Sequence, residues 1–157
     1  MAARDARRYE VRLAGTGGQG AILAGIILAD AAIREGKNAV QTQSYGPEAR
    51  GGASRSEVVI STSAIDYPKV LEPDITLCLS QEACDRYSGD MRKDGLLILD
   101  TDHVNRSPTT RAVGLALTSL AQEATGRSIT ANVVGLGLVA GLTDIISRES
   151  LEDAVEA

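Results

Sequence analysis

"YEVRLAGTGGQGAILAGIILADAAIREGKNAVQTQS", Tyr9 to Ser44, decides the fold. Its first residues alternate apolar and polar side chains and end on glycine, the pattern of a half-buried strand. A glycine-rich loop follows, then a helical stretch closed by Gly36, then "NAVQTQS" (Asn38 to Ser44) as a second strand. Strand, helix and strand in this order predict a βαβ unit whose two strands run parallel as neighbours. From Ala21 to Ala29 every position is apolar or glycine, about two and a half turns at roughly 3.6 residues per turn, so no side of that segment suits water. The sheet covers one side. The other is left to a helix of this chain, with "VVGLGLVAG" (Val133 to Gly141) as the candidate, or to another subunit, a homodimer included.

Outward from this unit the alternation continues. Strands are expected in "SRSEVVIS" (Ser54 to Ser61), "DITLCLS" (Asp74 to Ser80), "GLLILD" (Gly95 to Asp100) and "RAVGLAL" (Arg111 to Leu117). Helices are expected from Gln81, from a capping box at Ser119-x-x-Gln122, from Ala131 and from Arg148. The fold class is therefore α/β: a single domain over residues 1–157, with a mostly parallel sheet, helices on both faces and a Gly-rich loop after the first strand. Residues 1–8 read as a flexible arm, and Arg4, Arg7, Arg8 and Arg12 as solubilising charge. The chain stops inside the helical pattern "ESLEDAVEA", which leaves its completeness at that end open.

Composition narrows the function. The 157 residues are 43% hydrophobic and 24% charged, as expected of a soluble globular protein. A formal charge of −5, with no Trp, no Phe and four Tyr, argues against nucleic acid as a partner. No apolar run approaches the roughly 20 residues of a membrane crossing, and the charged start does not read as a signal peptide, so a cytoplasmic location is expected. Two cysteines, Cys78 and Cys84, are too few for an iron–sulfur site and read as small core residues. His103, the single histidine, falls in a loop with no catalytic partner evident nearby.

Two loops carry the functional signal. In "GTGGQG", Gly15, Gly17 and Gly20 meet the G-x-G-x-x-G outline between strand and helix. The acid that should hold a ribose at the end of the second strand is missing, since Glu35 falls on the helix, and this weakens NAD as the ligand. No Lys-Ser/Thr follows, which excludes a P-loop. What survives is a cradle of backbone N–H groups at a helix start, suited to an anion, or simply a tight turn serving close packing. The second loop, "SYGPEARGG" (Ser44 to Gly52), puts Tyr45, Glu48 and Arg50 beside the pair Gly51 and Gly52. With the first two strands parallel, both loops leave the carboxyl edge of the sheet and face one crevice, a receptor for a phosphorylated group.

"GTGGQGAILAGIILADAA", "SYGPEARGGASRSEVVIS", "IDYPKVLEPDITLCLSQEA" and "TANVVGLGLVAGLT", in this order and spacing, resemble the gamma subunit, or gamma domain, of 2-oxoacid:ferredoxin oxidoreductases. The likeness runs from about Val11 to Glu152 and is nearest to members with a separate gamma chain, 2-oxoglutarate synthase first; the shared motifs do not fix the oxoacid. The resemblance implies a chain inactive alone, working with alpha and beta subunits, with or without delta, and through them with ferredoxin. Thiamine diphosphate, Mg and iron–sulfur clusters would sit on those partners, and coenzyme A would be the cosubstrate. Carried over by motif, Gly15, Gly17, Gly18, Gln19 and Gly20 would line the phosphates of coenzyme A, with Asn132 as a polar contact. Tyr45, Glu48, Arg50, Gly51 and Gly52 would face the thiamine-bearing subunits. A purely structural gamma subunit and a free-standing nucleotide-binding protein are the alternatives from other classes.

Overall fold

Val11 and Leu13 point to one side of β1 (Arg8–Thr16) and Arg12 and Ala14 to the other, and both sides are buried. A strand covered on both faces belongs at the centre of a sheet, and β1 takes that place in the computed structural model, which describes residues 8–17, 19–44, 53–107 and 112–157. After it come α1 (Ala21–Arg34), β2 (Asn38–Ser44), β3 (Ala53–Ser61), β4 (Ile75–Cys78), α2 (Gln81–Tyr87) and β5 (Leu96–Asp100). The chain then adds β6 (Ala112–Leu115), α3 (Leu117–Thr125), a 3₁₀ turn (Ser128–Thr130), α4 (Ala131–Leu142) and α5 (Arg148–Glu156).

The strands form one sheet in the order β2-β3-β1-β4-β5-β6. β1, β4, β5 and β6 pair parallel, while β3 lies antiparallel between β1 and β2. The mostly parallel sheet holds, but the first two strands are not neighbours. Residues 45–52 are too short a link for a parallel crossover, so β3 folds back on β2 as a hairpin and its other edge meets β1 over Arg8↔Ser61 to Thr16↔Ala53. The carboxyl end of β1 still lies beside both ends of that hairpin, because Thr16 faces Ala53 and Ser44 faces Arg55.

Helices α1, α3, α4 and α5 share the main core with Val11, Leu13, Val58, Ile60, Ile75, Leu77 and Ile98. The expected neighbour α4 does pack against α1, and α5 joins it. Gly135 lets α4 approach the sheet, since a Cβ would come within 2.6 Å of Leu77 Cδ2 on β4. One flank of α1 stays open: Leu23, Ile26 and Ile33 are half or more exposed.

The opposite face carries α2, packed on β1, β3 and β4. Arg12 belongs to this face and is 3% exposed, not a solvated charge of a basic arm. Alternation with Val11 and Leu13 turns it under α2, where Nε pairs with Glu57 at 2.7 Å, Nη1 pairs with Asp90 at 2.5 Å and donates to the Tyr87 carbonyl at 3.2 Å. Cys78 and Cys84 are both buried in the small core on this side, as read from sequence. Interaction between the two thiols lowers that of Cys84 to about 7 and, with burial, pushes that of Cys78 up.

Helix α3 begins at Leu117, not at a Ser119–Gln122 capping box. Two carboxylates from the turn after β5 occupy its start instead: Asp100 accepts the Thr118 N–H, and Asp102 accepts both the N–H and the hydroxyl of Ser119. Anionic acceptors at a helix start outcompete a neutral glutamine amide for those donors.

A crevice at the carboxyl edge of the sheet

The chain leaves β1 toward β2 on one side while β4 begins the other half of the sheet. The carboxyl ends of β1 and β4 therefore mark the point where the winding direction changes, and open α/β sheets leave a crevice there. A crevice of about 270 Å³ lies at that edge, lined by Gln19, Leu79, His103, Thr118, Ile129 and Ala131 among others.

Gln19 holds the glycine loop across this change of direction. Its Oε1 accepts from the Thr16 N–H at 2.7 Å and from the Thr16 hydroxyl at 3.1 Å, and its Nε2 donates to the Leu79 carbonyl at 2.8 Å. Gly15 makes room for that side chain, because a Cβ there would stand 2.7 Å from Gln19 Oε1. At Gly20 the backbone is left-handed, with φ of 78°, and a Cβ would meet Asn132 Nδ2 at 2.5 Å. Asn132, 4% exposed, donates from Nδ2 to the Gly20 carbonyl and accepts the Val133 N–H on Oδ1. The starts of α1 and α4 are thereby tied together. Gly17, by contrast, is exposed with nothing within 4 Å of a Cβ position.

Neither α1 nor α4 has a side-chain cap, whereas Ser80 caps α2 and Ser147 caps α5. Four of the six residues expected at the cofactor, Gly15, Gln19, Gly20 and Asn132, thus converge at one place, while Gly17 is exposed in the same loop. Gly18 lies outside the described residues, as do Tyr45, Glu48, Arg50, Gly51 and Gly52.

Sequence reading missed the partner of His103. The side chain of Asp100 is fully buried at the end of β5, and its Oδ2 accepts from the Thr118 hydroxyl at 2.5 Å and from His103 Nδ1 at 3.1 Å. Burial opposes its charge, but the bonds from Thr118, His103 and the Asp102 N–H outweigh burial and hold the carboxyl below its usual range. An ionised Asp100 keeps the proton of the neutral ring on Nδ1, which leaves Nε2 as an acceptor. The signal was legible: an acid ending a strand, with histidine three residues on in the following turn.

Among the described residues no three His, Cys, Asp or Glu side chains converge as metal ligands. No helix among them is long and apolar enough to cross a membrane.

Residues 10–157 match the family model described as pyruvate ferredoxin/flavodoxin oxidoreductase. The chain is 50% identical over 153 residues to the 2-oxoglutarate synthase subunit KorC of Methanocaldococcus jannaschii, covering 94% of this chain and 82% of that one. Its structure is similar to the gamma subunit of a keto/oxoacid ferredoxin oxidoreductase from Geobacter sulfurreducens, with a TM-score of 0.86, 47% identity and coverage of 95% and 83%. It shares the fold of part of the 2-oxoglutarate:ferredoxin oxidoreductase from Magnetococcus marinus, solved with 2-oxoglutarate, coenzyme A and succinyl-CoA. There the TM-score is 0.81 and the identity 21%, over 94% of this chain and 26% of the other.

Proposed function

This chain belongs to the pyruvate ferredoxin/flavodoxin oxidoreductase family as a gamma-type subunit of a 2-oxoacid:ferredoxin oxidoreductase, and from that premise we propose that its carboxyl-edge crevice takes part of coenzyme A while partner subunits carry out the redox chemistry. The oxoacid is 2-oxoglutarate or a close relative, a reading supported by the identity to the archaeal 2-oxoglutarate synthase subunit. The observation that carries the proposal is the joining of two helix starts without side-chain caps at one crevice, through Asn132 and Gly20. Backbone N–H groups gathered at such a place suit the phosphates of a coenzyme.

Among the described residues no set of side chains converges as ligands for the metal groups of the reaction. The whole chain has two cysteines, both packed in the core, against the four that common clusters use. On this ground the iron–sulfur clusters are assigned to the partner subunits, and thiamine diphosphate and Mg are assigned there on the family resemblance. What this chain does is bind and orient. Gln19 and Asn132 fix the glycine loop, and the start of α1 presents N–H donors to an anion, whereas at α4 the Ala131 N–H already bonds the Ser128 carbonyl and the Val133 N–H bonds Asn132 Oδ1.

A structural gamma subunit is the second reading, favoured by one observation: the amides of Gln19 and Asn132 are already committed to the scaffold. Gly17→Asp separates the two. Its side chain enters open space, so folding and assembly should be unchanged. A negative charge beside the phosphates should raise the KM for coenzyme A in the reconstituted complex by roughly tenfold or more, while the KM for oxoacid stays put. An unchanged KM for coenzyme A would leave only the structural reading.

A further inference from the structure

Beyond the two helix starts, the crevice has a part that is poorly suited to phosphate. Among the described residues lining it there is no lysine or arginine, and the Asp100 carboxylate stands behind His103. A dianion would meet repulsion there. At about 270 Å³ the space is also too small for a whole coenzyme and would take one part of it.

Its walls and the acceptor of His103, beside the Ser128 and Thr118 hydroxyls that also line it, say which group. Leu79 and Ala131 floor the crevice but are nearly closed off, while Ile129 is 55% exposed, so a ring laid against Ile129 would take it out of water. His103 is fixed by Asp100 and Thr118, and its Nε2 has no partner among the described residues. An imidazole held in this tautomer accepts a hydrogen bond and does not donate one.

Resting on the coenzyme A reading above, we propose that His103 reads the base of the nucleotide: its Nε2 accepts from the exocyclic amino group of adenine, with the ring held against Ile129. His103 is thus a specificity residue for the purine end of the cosubstrate, and Asp100 is a positioning residue that acts through it. A site built to accept from an amino group rejects a base that offers a carbonyl oxygen in its place, because two acceptors then face each other.

The test uses the reconstituted complex with two cosubstrates, coenzyme A and its hypoxanthine analogue, in which a carbonyl replaces the amino group. The native complex should prefer coenzyme A by tenfold or more in kcat/KM, through KM. In His103→Ala the preference should fall below about threefold, by loss on coenzyme A alone. In His103→Gln, whose amide can turn to donate or accept, the two cosubstrates should again come within about threefold while the KM for coenzyme A stays near native. A side chain needed only for folding would lower kcat on both cosubstrates alike. No preference in the native complex, or a preference that survives His103→Ala, overturns the inference. Gly17→Asp keeps the two ideas apart: if it raises the KM for coenzyme A while His103→Ala leaves discrimination unchanged, the coenzyme A reading stands and the base-reading role falls. If neither variant has an effect, both fall.

Discussion

The two edges of the sheet both carry a concavity, and the larger one has the weaker case. At the amino edge a cleft of about 670 Å³ lies among Arg8, Tyr9, Asp74, Arg92, Asp144 and their neighbours. Its polar groups answer one another: Arg92 pairs with Asp74 at 3.0 Å, Arg8 with Glu10 at 3.0 Å, and the Tyr9 hydroxyl donates to Asp144 at 3.0 Å. The carboxyl-edge crevice is less than half that size, yet two helix starts without side-chain caps meet beside it and His103 keeps an acceptor unmatched among the described residues. The difference teaches that unmatched, directed polar groups mark a binding place better than volume does. In a mostly parallel sheet the helix starts gather at the carboxyl edge, so the asymmetry follows from topology.

The sharpest way to break this comparison is to remove the group that organises the carboxyl edge. Asp100→Asn keeps the shape but loses the charge that receives Thr118, His103 and the Asp102 N–H, and should cost about 1.5–3 kcal/mol of stability near neutral pH. The folded carboxyl lies below its unfolded value of about 3.9, so its contribution is fully present above that pH and is lost as pH falls through the lower folded value. Urea melts of both chains should differ most near neutrality and converge under strong acid. A gap independent of pH would mean that packing, not charge, holds this edge.

A smaller effect is expected when each edge is changed at one matched position. Gly20→Ala forces a side chain into a left-handed backbone and toward Asn132, and should cost about 1–2 kcal/mol. Arg92→Ala, at a half-exposed ion pair of the amino edge, should cost under about 1 kcal/mol and leave the KM for coenzyme A unchanged. Equal losses in chemical denaturation would erase the contrast between the edges.

Much of this contrast can be traced in the sequence, and the gaps have physical reasons. The strand, glycine loop and helix of Tyr9 to Arg34 show their character locally, through period and turn chemistry, and the structure keeps them. Which strands touch is not local. The period of β3 shows that Val58 and Ile60 share a face, but not that its edge takes the place beside β1. Arg12 sits in perfect alternation, yet only α2, some seventy residues on, makes its side of the sheet an interior. His103 looks unsupported because Thr118 lies 15 residues away, and the turn after β5 brings the two together. Gln19 and Asn132 were legible as residues of one site, but their engagement with Leu79 and Gly20 depends on the fold. The Tyr45 to Gly52 segment lies outside the described residues, so its expected interface role rests on motif alone.

The central claim is that coenzyme A engages the carboxyl edge of this subunit. Amide hydrogen exchange on the assembled complex, with and without coenzyme A, tests it most directly. The account predicts slowed exchange at residues 19–23 and 128–133, where α1 and α4 begin, and no change at residues 92–96 and 142–145 around the amino-edge cleft. Unchanged exchange at both helix starts, or protection confined to the amino edge, would contradict it.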